Sequence, residues 1–226
     1  MKLIYDGKTK TVYDLENGYY QLFFKDDLTG KDGVFDPGAC TVGLTVEGAG
    51  RAGLKVSDYF FRLLNGAGCA THFVDADINA GTMTVKPAKH IGEGLEIICR
   101  YVAMGSFVRR YGLYVKEGDP LNCVVEVTLK DDERGDPLIV QEALEALGIL
   151  KPGEYESLVA QTKKICETVR QDLTSKGMQL CDIKLEFGRD KDGAVMLIDE
   201  FSASVLRAME NGKIIEPLDL PKKLLG

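Results

Sequence analysis

Short runs rich in β-branched and aromatic residues, separated by glycine-containing turns, fill most of the first third of the chain. The runs are KLIY, KTVYDL, YYQLFFK, THFV and TMTVK, and the turns carry Asp-Gly, Asn-Gly and TGKDG. Such runs favour strands, and such turns favour antiparallel hairpins. One segment differs, because Ser57 to Gly66 places its apolar side chains on one helical face. We predict a small lobe over residues 1–88, an antiparallel sheet with one helix that Ser57 caps and Gly66 ends.

Longer helices mix with strands in residues 89–226, which we predict to form a larger α+β lobe. Strands are predicted at LEIICRYVAM and NCVVEVTLK, and a short helix at GSFVRRYG. The longest helix is predicted at 154–176, where apolar residues recur every three or four positions. Another helix is expected to begin with Asp136 as its N-cap and Pro137 in its first turn. The polar segment 86–94 marks the crossing between lobes, so the predicted fold class is two-lobed α+β.

Two acidic residues interrupt an otherwise apolar hairpin between residues 181 and 200. The stretch CDIKLEFGRDKDGAVMLIDE has two apolar strands around a tight turn, with Glu186 in the first and Asp199 ending the second. Because side chains alternate along a strand, Lys184 and Glu186 share a face, and Glu186 and Asp199 are expected to meet across the ladder. Adjacent carboxylates repel unless a cation lies between them, and Mg²⁺ favours one or two carboxylates with nucleotide phosphates. The pair is either a Mg²⁺ site or solvated edge acids bound to lysines.

A glycine turn near the start carries two lysines. In YDGKTK, Gly7 lies between two strands, and Lys8 and Lys10 are two residues apart, so both can project to one side. Such a turn can cover a polyphosphate, but an ordinary hairpin turn has the same sequence, because neither a Walker A loop nor a complete G-x-G-x-x-G is present. The run FKDDLTGKDG leaves the same two alternatives open.

The segment RYVAMGSFVRR places an arginine before a helix start. Arg100 lies in the predicted strand, and Gly105 and Ser106 open the helix that Gly112 ends. A cation, a hydroxyl and free backbone N–H groups at one point suit a phosphomonoester. The alternative is that Ser106 simply caps the helix. A helix cap beside Pro137 likewise explains Asp136.

Charge and hydropathy exclude several classes of protein. The chain carries 35 acidic and 28 basic residues, a formal net charge of −7. Binding to nucleic acid or to a membrane surface needs a dominant basic face, so we predict neither partner. No apolar run approaches the roughly 18 residues of a membrane helix, and no signal-peptide pattern opens the chain.

The cysteines and histidines narrow the location and the chemistry. The six cysteines fall singly and mostly within apolar runs, without C-x-x-C spacing, so we predict buried thiols in a reducing compartment, the cytoplasm. The chain has two histidines, His72 and His90, and no tryptophan, which nearly excludes histidine triads and histidine metal clusters. The chemistry must therefore rest on carboxylates, lysines, arginines and the backbone.

Five blocks together resemble, in order and spacing, the family of phosphoribosylaminoimidazole-succinocarboxamide synthase, or SAICAR synthetase. The blocks are YDGKTK, FKDDLTGKDG, RYVAMGSFVRR, DDERGDPLI, and CDIKLEFG followed by DEFS. The resemblance implies a two-lobed α+β fold related to kinase-like ATP binders, with ATP in the cleft. It also implies homo-oligomerisation. By this likeness Lys8, Lys184 and Asp199 are catalytic, and Glu186 and Asp199 are the Mg²⁺ ligands.

The resemblance also implies the binding residues and the reaction. The ATP-binding positions are Lys8, Lys10, Lys86 and Lys184. The positions that bind the ribonucleotide phosphate and the acceptor are Arg100, Ser106, Lys130, Asp136 and Arg207. The implied reaction joins the carboxylate of carboxyaminoimidazole ribonucleotide to the amine of L-aspartate through an acyl phosphate, with conversion of ATP to ADP, in purine biosynthesis.

This chain departs from the family pattern where the family binds its acceptor, and its tail looks shorter. The changed positions are Ala49, Leu54, Tyr101, Val140, Ala203 and Ser204. Three alternatives to the SAICAR synthetase reaction therefore stay open at this point. They are a divergent ligase with another carboxylate or amine, a small-molecule kinase, and a nucleotide-binding regulatory protein without turnover.

Overall fold

The computed structural model describes residues 1–36 and 41–226. The strands in this part of the chain are, in order, Lys2–Asp6 (β1), Lys10–Asp14 (β2), Tyr20–Phe24 (β3), Asp27–Lys31 (β4), Val34–Phe35 (β5), Val42–Thr45 (β6), Phe73–Asp77 (β7), Thr82–Val85 (β8), Lys89–His90 (β9), Leu95–Val102 (β10), Pro120–Leu129 (β11), Gln179–Arg189 (β12), Val195–Ile198 (β13), Leu206–Glu210 (β14) and Lys213–Ile214 (β15). The α-helices are Ala49–Gly66 (α1), Ser106–Tyr111 (α2), Gln141–Ala146 (α3), Glu154–Ser175 (α4) and Leu220–Leu225 (α5).

The strands form three antiparallel sheets. The first has the order β1-β2-β3-β8-β7, and a small one has the order β5-β4-β6. The largest runs β11-β10-β12-β14-β15, with β9 and β13 also paired to β12. The five strands predicted in the first third of the chain are present in the first sheet. The predicted hairpin also forms, because β12 and β13 pair with Glu186 opposite Ile198.

One hydrophobic cluster joins the sheets to the helices. Met83 of the first sheet, Phe60 of α1 and Leu185 of β12 are all fully buried in it. Helix α4 covers the apolar face of β10, β11 and β12, and α1 lies against the first sheet. This cluster contains residues from both sides of residue 88, so burial marks no boundary at that position. The predicted boundary between two lobes stays a prediction.

Helix α1 begins eight residues before the predicted cap. Ser57 lies inside the helix, where its hydroxyl donates to the carbonyl of Phe201 and accepts from the Phe201 amide at 3.1 Å. The helix starts at Ala49 because the Asp26 carboxylate accepts from the amides of Gly48 and Gly50, at 3.0 and 2.9 Å. The cap is therefore 22 residues away in the chain, where local sequence cannot reveal it.

The predicted helix start at Asp136 is also wrong. Helix α3 begins at Gln141, after an extended stretch that pairs with β11. The amide of Leu129 donates to the Pro137 carbonyl at 3.1 Å, and the amide of Ile139 donates to the Val127 carbonyl at 3.0 Å. These hydrogen bonds hold the backbone extended, so a helix cannot form there.

The described cysteines differ in burial, and all of the described helices are too short or too polar to cross a membrane. Cys99, Cys166 and Cys181 are buried, as predicted, whereas Cys69 and Cys123 are partly exposed; Cys40 lies outside the described residues. All five described cysteines are free. Across residues 1–36 and 41–226, no helix is long and apolar enough to span a membrane.

Candidate active site

One cavity of about 540 Å³ lies between the first sheet and the largest sheet. This volume is within the range of sites for small ligands. All the predicted site residues line it: Lys8, Lys10, Lys86, Arg100, Ser106, Lys130, Asp136, Lys184, Glu186, Asp199 and Arg207. The structure therefore brings together residues that are up to 199 positions apart.

Alternating side chains of neighbouring strands, all polar except Ile98, form one wall of the cavity. These residues are Glu96, Ile98 and Arg100 of β10, Thr128 of β11, and Asp182, Lys184 and Glu186 of β12. In the ladder, Glu96 lies opposite Glu186 and Arg100 lies opposite Asp182. The intervening residues, such as Ile97 and Leu185, are buried in the core on the α4 side. The period of two thus separates a charged face from an apolar one.

Glu186 and Asp199 form the centre of a carboxylate–lysine cluster. The Lys130 Nζ donates to both oxygens of Glu186, at 2.6 and 2.9 Å, and the Lys10 Nζ lies 3.1 Å from an Asp199 oxygen. Burial and the Asp199 carboxylate raise the pKa of Glu186 to about 7. Burial also acts to raise the pKa of Asp199, but Lys10 and Lys130 outweigh it and lower that pKa to about 2. The pair therefore titrates in two separate steps.

Two further buried carboxylates, neither of them among the predicted site residues, complete this cluster. Glu200 accepts from the Lys10 ammonium and from the Thr9 hydroxyl, the latter at 3.2 Å. Glu96 accepts from the Lys184 Nζ at 2.6 Å and from the Thr128 hydroxyl at 3.1 Å. The carboxylates of the cluster are Glu96, Glu186, Asp199 and Glu200, and its ammonium groups are those of Lys10, Lys130 and Lys184. When all four carboxylates are ionised, which requires a pH above the raised pKa of Glu186, they outnumber the three ammonium groups by one.

An arginine corner, formed by Arg100, Arg110 and Arg207 around two carboxylates, lies at the other end of the cavity wall. Arg100 is 1% exposed, and it donates to Glu126 at 2.6 Å and to Asp182 at 2.9 Å. Arg110 donates to both oxygens of Glu126, and Arg207 donates to both oxygens of Asp182. Three guanidinium groups against two carboxylates leave one positive charge at this corner.

Ser106 is oriented by this corner instead of capping α2. Gly105 occupies the N-cap position, and the Ser106 hydroxyl accepts from Arg100 at 2.9 Å. The prediction that Ser106 caps the helix is therefore wrong. Glycine is required at 105 by the backbone conformation, because φ is 55° and ψ is −125°, a combination that side chains disfavour. A Cβ there would also lie 2.7 Å from a guanidinium nitrogen of Arg207. The hydroxyl, the guanidinium and the start of the helix thus converge on one point.

The glycine turn closes over the cavity from the other side. The Gly7 amide donates to the Lys10 carbonyl at 2.8 Å, and the Lys8 ammonium forms an ion pair with Asp132. Asp132 lies in a turn next to Asp136, whose carboxylate accepts from the Asp131 amide at 2.8 Å. Both members of the Lys8–Asp132 pair are exposed, so solvent screens this attraction.

The positions that depart from the family pattern lie mostly outside the cavity. Leu54 is fully buried in the core, and Val140 is 62% exposed at the start of α3. Tyr101 lies on the other face of β10, where the Arg170 guanidinium is 5.8 Å from its ring centre. Of the six changed positions, all of which the structure describes, only Ser204 lines the cavity. Packing therefore accounts for the Leu54 and Tyr101 positions.

Comparison with known proteins identifies the family of this chain. The sequence profile of SAICAR synthetase matches residues 3–219. The chain belongs to the SAICAR synthetase family. A curated phosphoribosylaminoimidazole-succinocarboxamide synthase of Clostridium tetani is 56% identical over 226 residues, which cover 100% of both chains. The family prediction is therefore confirmed.

Solved SAICAR synthetases have the same fold. One is 34% identical, with a TM-score of 0.82 over 99% of this chain and 91% of the other. A second, a Type-2 SAICAR synthetase in complex with ADP, is 29% identical, with a TM-score of 0.84 over 97% of this chain and 89% of the other. The α+β fold class with antiparallel sheets is confirmed.

Proposed function

We propose that this chain is an ATP-dependent ligase of purine biosynthesis that joins the carboxylate of carboxyaminoimidazole ribonucleotide to the amine of L-aspartate. The observation that carries the proposal is the cavity with two ends of opposite charge. One end is the carboxylate–lysine cluster, and the other is the arginine corner. The curated relative from Clostridium tetani, a phosphoribosylaminoimidazole-succinocarboxamide synthase along its full length, supports this substrate pair.

ATP is assigned to the end of the cavity beneath the glycine turn. Lys8, Lys10, Lys86 and Lys184 line this end and supply positive charge for phosphates. The ADP complex of a solved SAICAR synthetase supports nucleotide binding by this chain. Lys10 holds its charge firmly, because Asp199 and Glu200 raise its pKa despite burial.

The donor chemistry of the carboxylate–lysine cluster fits Mg²⁺. Glu186 and Asp199 present hard oxygen donors to the cavity, and the cluster carries one uncompensated negative charge when Glu186 is ionised. No three His, Cys, Asp or Glu side chains in the described residues surround a common metal position. Oxygens of the nucleotide would complete the ligand set, as Mg²⁺ commonly requires. When bound, the ion would neutralise charge on the transferring phosphoryl group.

The ribonucleotide phosphate is assigned to the arginine corner. Ser106 and Arg207 are the groups that the phosphate would contact, since both line the cavity and the Arg207 side chain is 15% exposed. Arg100 supports them from behind, because its guanidinium is fully buried and oriented by Glu126 and Asp182. Lys130, which binds Glu186 in the carboxylate–lysine cluster, and Asp136 also line the cavity, and the proposal places the acceptor carboxylate and aspartate near them.

The side chains of this site would act by position and charge. A carboxylate is a poor electrophile, so phosphoryl transfer from ATP would convert it to an acyl phosphate and release ADP. The aspartate amine would then attack the acyl carbon, form the amide and displace inorganic phosphate. Lys10, Lys130 and Lys184 are fixed by buried carboxylates before any ligand binds, and such preorganised charge stabilises a transition state without further rearrangement. No protein nucleophile is needed for either step.

A divergent ligase is the second candidate, and Ser204 is the observation that favours it. The family pattern places an aspartate at this position, and Ser204 lines the cavity beside Arg207. Exchange of a carboxylate for a hydroxyl changes which polar groups a substrate can present there. A different phosphorylated carboxylate, or an amine other than aspartate, would then be the true substrate.

A single assay separates these candidates from a kinase. The purified protein is incubated with ATP, Mg²⁺ and carboxyaminoimidazole ribonucleotide, with and without aspartate, and ADP is measured. The proposed function predicts ADP formation that depends on aspartate. ADP formation with another amine would favour the divergent ligase, and ADP formation with a hydroxyl acceptor would favour a kinase. ATP binding without ADP under any of these conditions would favour a regulatory protein.

The proposal also covers the cellular location and the oligomeric state of the protein. We place the protein in the cytoplasm, where purine precursors and reduced thiols occur together. We also propose a homo-oligomer, by likeness to the family. Size-exclusion chromatography with light scattering gives the mass in solution, and a mass of 24.8 kDa, that of one chain, would contradict the second statement.

A further inference from the structure

Asp199 has an unusual backbone conformation for a residue with a side chain. Its φ angle is 69°, in the left-handed region, whereas the preceding residues of β13 are extended. Non-glycine residues adopt this conformation rarely, and they keep it only where neighbouring structure enforces it. The conformation turns the chain sharply at the point where the Asp199 carboxylate enters the cavity.

His72 contacts the backbone at this point. Its Nε2 lies 3.1 Å from the carbonyl oxygen of Asp199. A carbonyl oxygen only accepts hydrogen bonds, so the Nε2 must carry a proton and donate it. The imidazole is 4% exposed, and its ring centre lies 5.3 Å from that of Phe61. The side chain is therefore fixed by packing as well as by the hydrogen bond.

The backbone around His72 reinforces this contact. The His72 amide donates to the Leu197 carbonyl at 2.9 Å, and the Leu197 amide donates to the Ala70 carbonyl at 2.9 Å. These hydrogen bonds join the chain before β7 to the end of β13 as a short parallel bridge. The amide of Lys86 donates to the His72 carbonyl at 2.7 Å, which ties the same residue to the end of β8.

We infer that His72 is a positioning residue, which holds the Asp199 backbone so that the carboxylate faces the nucleotide end of the cavity. This inference rests on the proposed function, because it takes Asp199 to be a ligand of the nucleotide-bound cation. His72 acts through the main chain of Asp199 and does not touch the reacting atoms. Groups that orient a metal ligand from behind typically change metal affinity by about 10- to 100-fold when they are removed.

Two amide substitutions test this inference with matched chemistry. The amide nitrogen of Gln lies about as far from the backbone as the histidine Nε2, so His72→Gln retains a donor for the Asp199 carbonyl. The amide of Asn is one methylene shorter, so His72→Asn removes that contact but keeps a polar side chain. Mn²⁺ binding in the presence of ADP is measured by electron paramagnetic resonance, ADP binding without metal by calorimetry, and folding by thermal denaturation.

We expect His72→Asn to weaken Mn²⁺ binding by about 10- to 100-fold. We expect His72→Gln to stay within about threefold of the unaltered protein, and metal-free ADP binding to stay within about twofold in both variants. Equal Mn²⁺ affinity in all three proteins would overturn the inference, as would equal losses in both variants. The inference would also be overturned if His72→Asn lost as much affinity for metal-free ADP as for Mn²⁺. Such a result would show that His72 has only a general packing role.

The unaltered protein separates failure of this inference from failure of the proposed function. If it binds Mn²⁺ with ADP and the variants bind equally well, the role of His72 is wrong and the metal assignment stands. If it binds no Mn²⁺ in the presence of ADP, the metal assignment itself is wrong and this inference fails with it.

Discussion

Asp199 lies within reach of Lys10, has a left-handed backbone and is next to Glu200, which is also bound to Lys10. The nearby lysines lower its pKa to about 2, so its carboxylate is charged at neutral pH. A permanently charged carboxylate is what a cation ligand requires. A substitution at Asp199 is therefore the most direct single-residue test of the proposed metal site.

Asp199→Asn is expected to remove Mg²⁺-dependent turnover and to leave the fold intact. The amide keeps the shape and the tolerance for left-handed backbone but loses the charge. Loss of several kcal/mol of charge stabilisation corresponds to a decrease in kcat of more than about 100-fold. Steady-state ADP formation measures the effect, and circular dichroism checks the fold. Activity equal to that of the unaltered protein would refute the metal assignment.

Glu186→Gln is expected to abolish turnover and to stabilise the metal-free protein. The folded-state pKa of Glu186, about 7, lies above the usual carboxyl value of 4.5. The stability that its protonated form contributes is present below pH 4.5 and is lost as the pH rises through 7. Gln cannot ionise, so the variant should gain at least about 1 kcal/mol over the unaltered protein at pH 8.

Urea denaturation at pH 4.5, 6 and 8, in a chelating buffer, measures this difference in free energy of unfolding. The gain should grow with pH across this window. A gain that is independent of pH would contradict the raised pKa of Glu186.

Individual residues differed in how far the sequence revealed them. The alternation within β12 was sufficient to predict that Lys184 and Glu186 share a face. The same period of two in LEIICRY and in VVEVTLK marks Glu96 and Thr128, but apolar neighbours made these segments look like ordinary core strands. No local signal marks Glu200 or His72, because their partners lie far away in the chain.

At the scale of elements, helix α1 illustrates why boundaries were missed. Its first two turns contain Gly50 and Gly53, and glycine disfavours helix in an isolated chain. Gly50 is required there, because a Cβ would lie 2.6 Å from the carbonyl oxygen of Lys25. Close packing against the end of β3 and a distant carboxylate cap override the local preference. Only the C-terminal half of the helix, with its apolar face, was predictable.

A pair of glycine substitutions within α1 tests this packing. Gly50→Ala should destabilise the protein by about 2 kcal/mol, since the added methyl group overlaps backbone atoms that cannot move easily. Gly66→Ala is the matched control at the other end of the same helix, where a Cβ would meet no atom within 4 Å. It should be neutral or stabilising by about 0.5 kcal/mol. Equal effects of the two substitutions in thermal denaturation would contradict the close approach.

At the scale of the whole molecule, the cavity exists only because several sheets and turns meet. The Lys8 turn, the β10–β12 wall and the Ser202–Arg207 segment come from distant parts of the chain, and the family resemblance predicted that they converge. Physical pattern alone left Mg²⁺ binding and surface acids as alternatives. The continuous core also joins both predicted lobes, which no periodicity in the sequence indicates.

Mg²⁺ with ADP is expected to stabilise the whole molecule. At a ligand concentration 100 times Kd, binding contributes about 2.7 kcal/mol, which corresponds to an increase in Tm of about 5–10 °C for a chain of this size. In Asp199→Asn, ADP should give the same Tm with and without Mg²⁺. Differential scanning calorimetry measures both proteins. A Mg²⁺-dependent shift in the variant as large as in the unaltered protein would place the cation elsewhere.

The central claim is that this cavity activates a carboxylate with ATP for attack by an amine. The most direct test uses carboxyaminoimidazole ribonucleotide labelled with ¹⁸O in its carboxylate, incubated with ATP, Mg²⁺ and aspartate. An acyl phosphate requires one carboxylate oxygen to leave with the phosphoryl group, so each inorganic phosphate released should carry one ¹⁸O by mass spectrometry. Inorganic phosphate without label, released at the same rate as ADP, would contradict the account.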